Sequence, residues 1–409
     1  MQACKRSGQP EGFSDDSGEV PLGRLSWWVG SGLIFLVALL APAAAARADY
    51  LITDLGVIPG GSSSHGVAVN SSGKVTGFGD PGTLTSHAFL TTAASSQLTD
   101  LGTLGGASSH GAAINAQGQI VGDSDVAAGG THAMIATGPG TMQDIPLLAG
   151  WLNSYAKGIN DSAQIVGYAQ IAGGVQHGFF GTATGGLTEM GTLGGPNSLA
   201  FGINAQGLIV GAADIDATHT HAFTAVGLNL HDLGGLGSSN FSDGRAINNF
   251  GVVVGFGGLT GSNHAFRTRA DNSLEDLSTL SGTGQSFAYA INNGGDVTGS
   301  SSASGGGTHA FLVQGGSSLM IDLNQHLING AGWVLNDARG INNFGLIVGT
   351  GTIGGLPHAF LLTPQAVPEP SAWLLSALGL SALGLAARFK RGRKAGRAGV
   401  APAGEPPAR

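Results

Sequence analysis

The sequence predicts an all-β protein, a seven-bladed β-propeller made of four-stranded repeats about 45 residues long. Three short motifs carry this prediction, and each occurs seven times between residues 49 and 363. They are an acidic residue followed by an apolar one, an Asn that follows Ile or Val, and His-Ala-Phe or a close variant. Four antiparallel strands in a unit of this length are typical of a propeller blade, and seven blades close into a ring.

The motifs recur at nearly constant spacing. The acidic positions are Asp54, Asp100, Asp144, Glu189, Asp232, Asp276 and Asp322. The Asn positions are Asn70, Asn115, Asn160, Asn204, Asn248, Asn292 and Asn342. The His positions are His87, His132, His177, His221, His264, His309 and His358. Self-similarity at this period indicates one domain of stacked supersecondary units.

Each repeat is predicted to contain four strands. The segment that ends at the Asn and the segment that follows it form a hairpin, because the residues between them include Asn and Gly, which tolerate positive φ. The His-Ala-Phe segment gives a third strand and the acidic segment a fourth. A parallel β-solenoid is the alternative, but its coils are shorter and it does not need a hairpin of constant length.

The two ends of the series predict how the ring closes. The series begins with a strand of the fourth type, at residues 50–56, and ends with one of the third type, at residues 358–363. We therefore expect the N-terminal strand to complete the last blade and to cover its exposed edge.

Composition and charge suit short strands and exclude one class of partner. Of the 409 residues 73 are Gly and 10% are charged, while 42% are hydrophobic, a balance that favours strands and tight turns over amphipathic helices. Residues 49–366 contain 19 acidic residues against 6 basic ones, a net charge of −13. We expect no nucleic-acid partner, because such partners require a basic surface.

Both termini are predicted to be apolar helices. Residues 1–48 are predicted to be a signal peptide, with an apolar run at 25–46 and a small-residue site before Asp49; a retained membrane anchor is the alternative. The sole cysteine, Cys4, lies in this segment, so the mature chain would contain no disulfide. Residues 364–409 contain an apolar run at 372–387, a predicted transmembrane helix, and then a basic tail.

Two parts of the chain resemble known families. The segments DLGTLGG, INAQGQIVG and HAF resemble the HAF-repeat family of bacterial extracellular proteins over residues 50–363, with departures at His177-Gly178-Phe179 and Glu189-Met190. The C-terminal segment resembles the PEP-CTERM sorting signal. That resemblance implies that an exosortase-type membrane enzyme recognises Pro368, Glu369 and Pro370, releases the hydrophobic tail, and passes the protein to the cell surface or exopolysaccharide matrix.

These resemblances imply a location and a set of partners. The protein is expected to be secreted, with signal peptidase and the exosortase-type enzyme as partners during export. Before processing, the C-terminal helix would hold it in the membrane. An ordinary C-terminal anchor is the alternative for this segment. Exopolysaccharide or surface proteins are the expected partners afterwards.

The seven motif histidines are interpreted as structural. Each is expected to form a hydrogen bond within its blade, and separate blades spread the imidazoles around the ring, whereas a metal site needs several ligands within about 2 Å of one ion. The segments at 122–125 and 213–216 contain pairs of Asp that could ligate calcium, but we interpret them as solvated connections between strands. We expect no catalytic residue, metal or cofactor, since no nucleophile or phosphate-binding motif occurs.

Trp151 and Trp333 are the candidate ligand-binding residues. Each lies nine residues before a repeat Asn, where the other repeats have Gly, Ser or Thr. A Trp at a connection can stack on a sugar ring or a partner chain; the alternative is that each fills a gap between blades. The sequence therefore predicts a non-enzymatic binding or adhesion module. A propeller hydrolase or lyase acting on extracellular polysaccharide and a purely structural coat component are the alternatives.

Overall fold

The computed structural model describes residues 49–83, 85–91, 97–259 and 261–365. Within them the chain forms seven sheets in a ring, which confirms the seven-bladed β-propeller. The predicted signal peptide, Pro368, Glu369, Pro370 and the predicted helix at 372–387 lie outside the described residues. Among the residues that are described, no helix is long and apolar enough to cross a membrane.

Each blade follows the predicted order of four antiparallel strands. After the N-terminal strand β1 (Asp49–Asp54), blades 1 to 3 contain β2 (Ser64–Val69), β3 (Val75–Gly79), β4 (His87–Thr91), β5 (Leu98–Asp100), β6 (Gly105–Ile114), β7 (Ile120–Val126), β8 (Thr131–Ala136), β9 (Gln143–Asp144), β10 (Trp151–Ile159), β11 (Ile165–Ile171), β12 (Gln176–Thr182) and β13 (Gly186–Glu189). Blades 4 to 6 contain β14 (Ser198–Ile203), β15 (Leu208–Asp214), β16 (Thr220–Val226), β17 (Asn229–Asp232), β18 (Ser242–Ile247), β19 (Val253–Leu259), β20 (Ser262–Thr268), β21 (Leu274–Asp276), β22 (Ser286–Ile291), β23 (Val297–Ser302), β24 (Thr308–Val313) and β25 (Met320–Asp322).

Blade 7 is closed by the N-terminal strand, as predicted. It contains β26 (Leu327–Ile328), β27 (Trp333–Ile341), β28 (Ile347–Ile353) and β29 (Leu356–Gln365). Strand β1 pairs with β29 in antiparallel register along all six of its residues. The longer connection before β27 forms a short 3₁₀ helix, Leu323–His326, and then β26, which pairs with β1 as a fifth strand. A second 3₁₀ turn, Ala172–Gly174, lies in blade 3.

The hydrophobic core lies between the blades. The aromatic or Met side chain of each His-Ala-Phe motif is fully buried; these are Phe89, Met134, Phe179, Phe223, Phe266, Phe311 and Phe360. Phe223 of blade 4 shares a core cluster with Val166 of blade 3, and Phe89 of blade 1 shares one with Val348 of blade 7. Burying these side chains between sheets stabilises the contact of each blade with its neighbour.

The repeat Asn residues form a closed ring of hydrogen bonds. Each Asn side chain donates from Nδ2 to the backbone carbonyl of the Asn in the next blade, at 2.9–3.2 Å, and Asn342 of blade 7 donates back to Asn70 of blade 1. All seven are buried. Because each bond also satisfies a buried polar group, the ring explains why every repeat has Asn here.

Candidate functional site

The centre of the ring holds a cavity of about 800 Å³. Its walls come from the first strands of all seven blades, with additional residues from second strands. Toward the Asn ring the wall is apolar, formed by the Val or Ile that precedes most of the repeat Asn residues. Concave sites of 300–1,000 Å³ with a few polar groups are typical for small ligands.

Three positions in each repeat supply the side chains around this cavity. Two lie on the first strand, five and three residues before the Asn, and the third lies on the second strand, eight residues after it. The first and third positions face each other in register, as in His65 and Phe78. We call the aromatic, charged, His and Thr residues at these positions the central belt: His65, Phe78, His110, Asp123, Tyr155, Lys157, Tyr168, Phe201, Asp243, Arg245, Phe256, Phe287, Tyr289, Asp337, Arg339 and Thr350. Of these, His65, Asp243, Phe256, Phe287, Asp337 and Thr350 do not line the cavity themselves.

Aromatic rings hold the three cations of the belt. The guanidinium carbon of Arg245 lies 4.1 Å from the ring centroid of Phe201 and 5.1 Å from that of Phe256. Lys157 Nζ lies 5.4 Å and 5.7 Å from the centroids of Tyr155 and Tyr168. Cations at such distances are attracted to the faces of aromatic rings.

Arg339 is held in the same way, 5.0 Å from the ring centroid of Tyr289. Each cation also donates to one carboxylate. Lys157 Nζ donates to Asp123 at 3.1 Å, and Arg339 Nε donates to Asp337 at 2.9 Å. These charge-assisted bonds fix the direction in which the cations point.

Asp123 accepts hydrogen bonds from two belt residues. His110 Nδ1 donates to its second oxygen at 2.8 Å, while Lys157 donates to the first. Burial alone would raise the pKa of Asp123, but the His110 hydrogen bond and the Lys157 charge outweigh it and lower that pKa. Asp123 is therefore an ionised group that organises the wall formed by blades 2 and 3.

The pKa of Asp243 is shifted in the opposite direction from that of Asp123. Arg245 donates to its Oδ2 at 2.7 Å, but burial dominates and raises the pKa of Asp243 to about 6. Among the described residues, Oδ1 of Asp243 and Nε of Arg245 find no hydrogen-bond partner. The Asp243–Arg245 pair is thus the least satisfied polar pair of the central belt.

Replacing Asp243 by Asn is expected to change how stability depends on pH. The pKa of Asp243 is about 6 in the folded wild type, against 3.8 for a free Asp side chain. Folding therefore favours the protonated carboxyl group. The resulting contribution to stability is complete below pH 3.8 and is lost as pH rises through 6. The amide that replaces the carboxyl group cannot titrate. We expect the stability of Asp243→Asn relative to wild type to increase by ~2 kcal/mol between pH 4.5 and 7.5 in urea denaturation. A difference that is constant with pH would contradict this; the unpaired Arg245 charge adds only a constant offset.

The structure pairs each motif histidine with the acidic residue of its own blade. The Nδ1-to-carboxylate distances are 2.8–3.0 Å for His87, His132, His221, His264, His309 and His358, and His177 pairs with Glu189 in the same way. Asp54 on β1 is the partner of His358 on β29. None of these histidines lines the central cavity. Within the described part of the chain, no group of three or more His, Cys, Asp or Glu side chains is placed to hold a metal ion.

Neither candidate Trp residue lines the cavity: Trp151 belongs to a hydrophobic core cluster and Trp333 packs against one. Trp151 is 6% exposed, and its Nε1 donates to Glu189 at 3.2 Å. Its ring lies 5.4 Å from that of Phe179. Trp333 is half-buried and packs edge-on against Phe360, with 6.3 Å between centroids. Both therefore occupy the space next to the buried aromatic residue of their blade, and neither lines the cavity.

One expectation about the Asp pairs is wrong. Residues 122–125 do not form a solvated connection, since they lie within strand β7 and Asp123 is buried. Asp216 of the second pair does lie in an exposed turn, where it accepts from His219 Nδ1 at 2.8 Å. Sequence reasoning places Asp123 in a loop because charged residues are rarely buried unless paired, and its partners His110 and Lys157 come from other strands.

The sequence-based search missed the belt. Its signal is nevertheless present: at the three belt positions no residue type occurs in more than two of the seven repeats, while the Asn and the Gly seven residues later never change. Positions whose residue type varies within a regular repeat are not constrained by the structure of the blade, whereas the constant positions are. Aligning the repeats on their Asn would have identified the belt.

Comparison with known proteins supports the fold alone. No protein-family model matches the chain, and no curated protein sequence matches it. Among solved structures, puromycin hydrolase has a TM-score of 0.52 at 11% identity, over 75% of this chain and 53% of that one. TolB from Acinetobacter baumannii has a TM-score of 0.43 at 11% identity, over 76% of this chain and 65% of that one.

A gluconolactonase from Xanthomonas campestris has a TM-score of 0.36 at 11% identity, over 77% of this chain and 90% of that one. The chain spans less than two thirds of the length of the TolB and puromycin hydrolase chains. What the chain is similar to is the β-propeller architecture.

Proposed function

We propose that the protein is a non-enzymatic binding module exported to the cell surface, and that its central cavity binds a carbohydrate. The observation that carries this proposal is the collection of the divergent repeat positions around one cavity, while the repeated positions maintain the ring. Export and surface sorting rest on the sequence of residues 1–48 and on Pro368, Glu369 and Pro370.

The chemistry of the belt suits a sugar. Aromatic side chains of the wall such as Tyr289 and Phe201 supply apolar surface, next to the faces that hold Arg339 and Arg245, against which the C–H groups of a sugar ring can pack. Charged side chains between them supply hydrogen bonds to hydroxyl groups. Trp151 and Trp333 are not part of this proposal, since they pack beside Phe179 and Phe360.

A glycan array probed with the full-length chain tests the proposal. Tyr289→Ala removes one aromatic ring from the cavity wall, and we expect it to reduce binding about 10-fold, because such a contact contributes up to ~1.5 kcal/mol. Phe250→Ala is the control, because Phe250 is 77% exposed and does not line the cavity. No binding by the folded parent, or equal loss in both variants, would refute the proposal.

A hydrolase or lyase acting on polysaccharide is the second candidate. Asp243 favours it, because a carboxyl group with a pKa of about 6 suits a general acid. Against it, Oδ2 of Asp243 is bonded to Arg245 and Oδ1 is enclosed. Release of reducing sugar ends by the wild type but not by Asp243→Asn would favour the enzyme. A structural coat component, the third candidate, would self-associate without binding glycans.

A further inference from the structure

We propose that the ligand of the central cavity is an acidic sugar whose carboxylates are bound by the cations of the cavity wall, Lys157, Arg245 and Arg339. This rests on the proposed carbohydrate-binding function and specifies its ligand class. The three cations are the part of the wall that distinguishes an acidic sugar from a neutral one.

The distribution of charge in the chain supports this assignment. Residues 49–365 contain only six Lys or Arg residues against 19 acidic ones, yet three of the six line this single cavity. All three occupy the same repeat position, three residues before the Asn, in blades 3, 5 and 7. The cavity therefore offers an anion half of the Lys and Arg side chains of a strongly acidic body.

The carboxylates that pair with these cations are less exposed than the cations. The side chains of Asp123, Asp243 and Asp337 are 9%, 12% and 16% exposed, whereas those of their partners Lys157, Arg245 and Arg339 are 26%, 32% and 45% exposed. A ligand that enters the cavity therefore meets the cations first. The carboxylates lie behind them and orient them, as polar supporting groups do in other sites.

The cations also retain unused hydrogen-bond donors. An ammonium group has three N–H donors and a guanidinium has five. Among the described residues, each of these cations donates to one carboxylate and to no other group. The planar fork of a guanidinium matches the two oxygens of a carboxylate, so Arg245 and Arg339 can each bind one in bidentate fashion.

Aromatic residues occupy the same repeat position in the intervening blades. In blades 3 to 7 the position reads Lys157, Phe201, Arg245, Tyr289 and Arg339, an alternation of cation and aromatic ring around the wall. A sugar that packs against Phe201 or Tyr289 lies next to the cation that the same ring holds. A carboxylate on the ring, as in a uronic acid, satisfies both contacts at once.

Calorimetric titration of the full-length chain in detergent tests the inference. The probes are tetramers of galacturonate, glucuronate and mannuronate, and the same tetramers after their carboxylates are reduced to primary alcohols. We expect at least one acidic tetramer to bind 10-fold or more tightly than its reduced form. Arg245→Gln and Arg339→Gln should each weaken the acidic tetramer at least 10-fold and leave the reduced one within 3-fold.

Arg269→Gln is the matched control, because Arg269 is exposed and lies outside the cavity; it should bind as the wild type does. Melting curves establish that each variant is folded. Equal affinity for acidic and reduced tetramers, equal loss in Arg269→Gln, or equally tight binding of a sulfated neutral tetramer would overturn the carboxylate assignment. If no tetramer of any kind binds the folded parent, the proposed carbohydrate function itself fails.

Discussion

A chain that begins after β1, at residue 55, is expected not to fold, whereas residues 49–365 should fold on their own. Strand β1 contributes all six of its residues to pairing with β29. It also places Tyr50 in the core of blade 7 and Asp54 against His358. Losing these backbone bonds, the buried ring and the charge pair costs ~5 kcal/mol or more, as much as the whole stability of many domains.

The deletion also exposes β29 as an open edge next to the first blade, which favours aggregation. Circular dichroism and size-exclusion chromatography of the two fragments measure the effect. The expected result is a monomer with a cooperative melt for residues 49–365 and an aggregated or unfolded chain for residues 55–365. A shorter fragment that melts cooperatively within a few degrees of the longer one would show that closure contributes little.

Gly211→Ala is expected to destabilise the propeller by ~3 kcal/mol or more, a cost at the upper end of that for overpacking a core. A Cβ at this position would lie 2.0 Å from the backbone oxygen of Leu199 and 2.8 Å from the ring of Phe223. The close approach arises because β14 has a bulge between Ala200 and Gly202. Neither the backbone carbonyl nor the packed ring can move aside at low cost.

Urea denaturation compares this variant with Gly191→Ala, in the connection between blades 3 and 4. A Cβ added to Gly191 meets no atom within 4 Å, so that variant should be within about 0.5 kcal/mol of wild type. The same clash, at 1.9–2.0 Å, recurs at Gly77, Gly122, Gly167, Gly255, Gly299 and Gly349. Equal stability of the two variants would mean that the repeated Gly is not required by the bulge.

The architecture could be predicted because the residues that determine it recur in every repeat. The Asn that closes the ring, the Gly opposite the bulge and the buried aromatic residue each occur at one fixed position in every repeat, or nearly so. Seven copies of each signal outweigh the ambiguity of any single one. Closure by β1 followed from the order of strand types at the two ends, and the structure confirms it.

The candidate site could not be predicted by the same means. The belt residues have no motif, and their proximity depends on the ring that brings blades 3 to 7 around one axis. Phe201 and Arg245 are 44 residues apart in sequence, yet the guanidinium lies 4.1 Å from the ring centroid. Trp151 is conspicuous in the sequence because it is large and departs from the repeat pattern. In the structure, however, its ring packs beside Phe179.

Blocking the cavity tests most directly whether the ligand binds there. Ala112 lies on the cavity wall at the same repeat position as Arg245. In a Cys4→Ser background the chain has no other cysteine, so Ala112→Cys can be labelled with a bulky maleimide. Val226→Cys, on β16, is the control, because Val226 is 68% exposed and away from the cavity.

The quantity to measure is glycan affinity before and after labelling. If the central cavity is the binding site, labelled Ala112→Cys loses binding, while unlabelled Ala112→Cys and labelled Val226→Cys retain it. Full affinity in the labelled Ala112→Cys protein would place the ligand elsewhere and contradict the account.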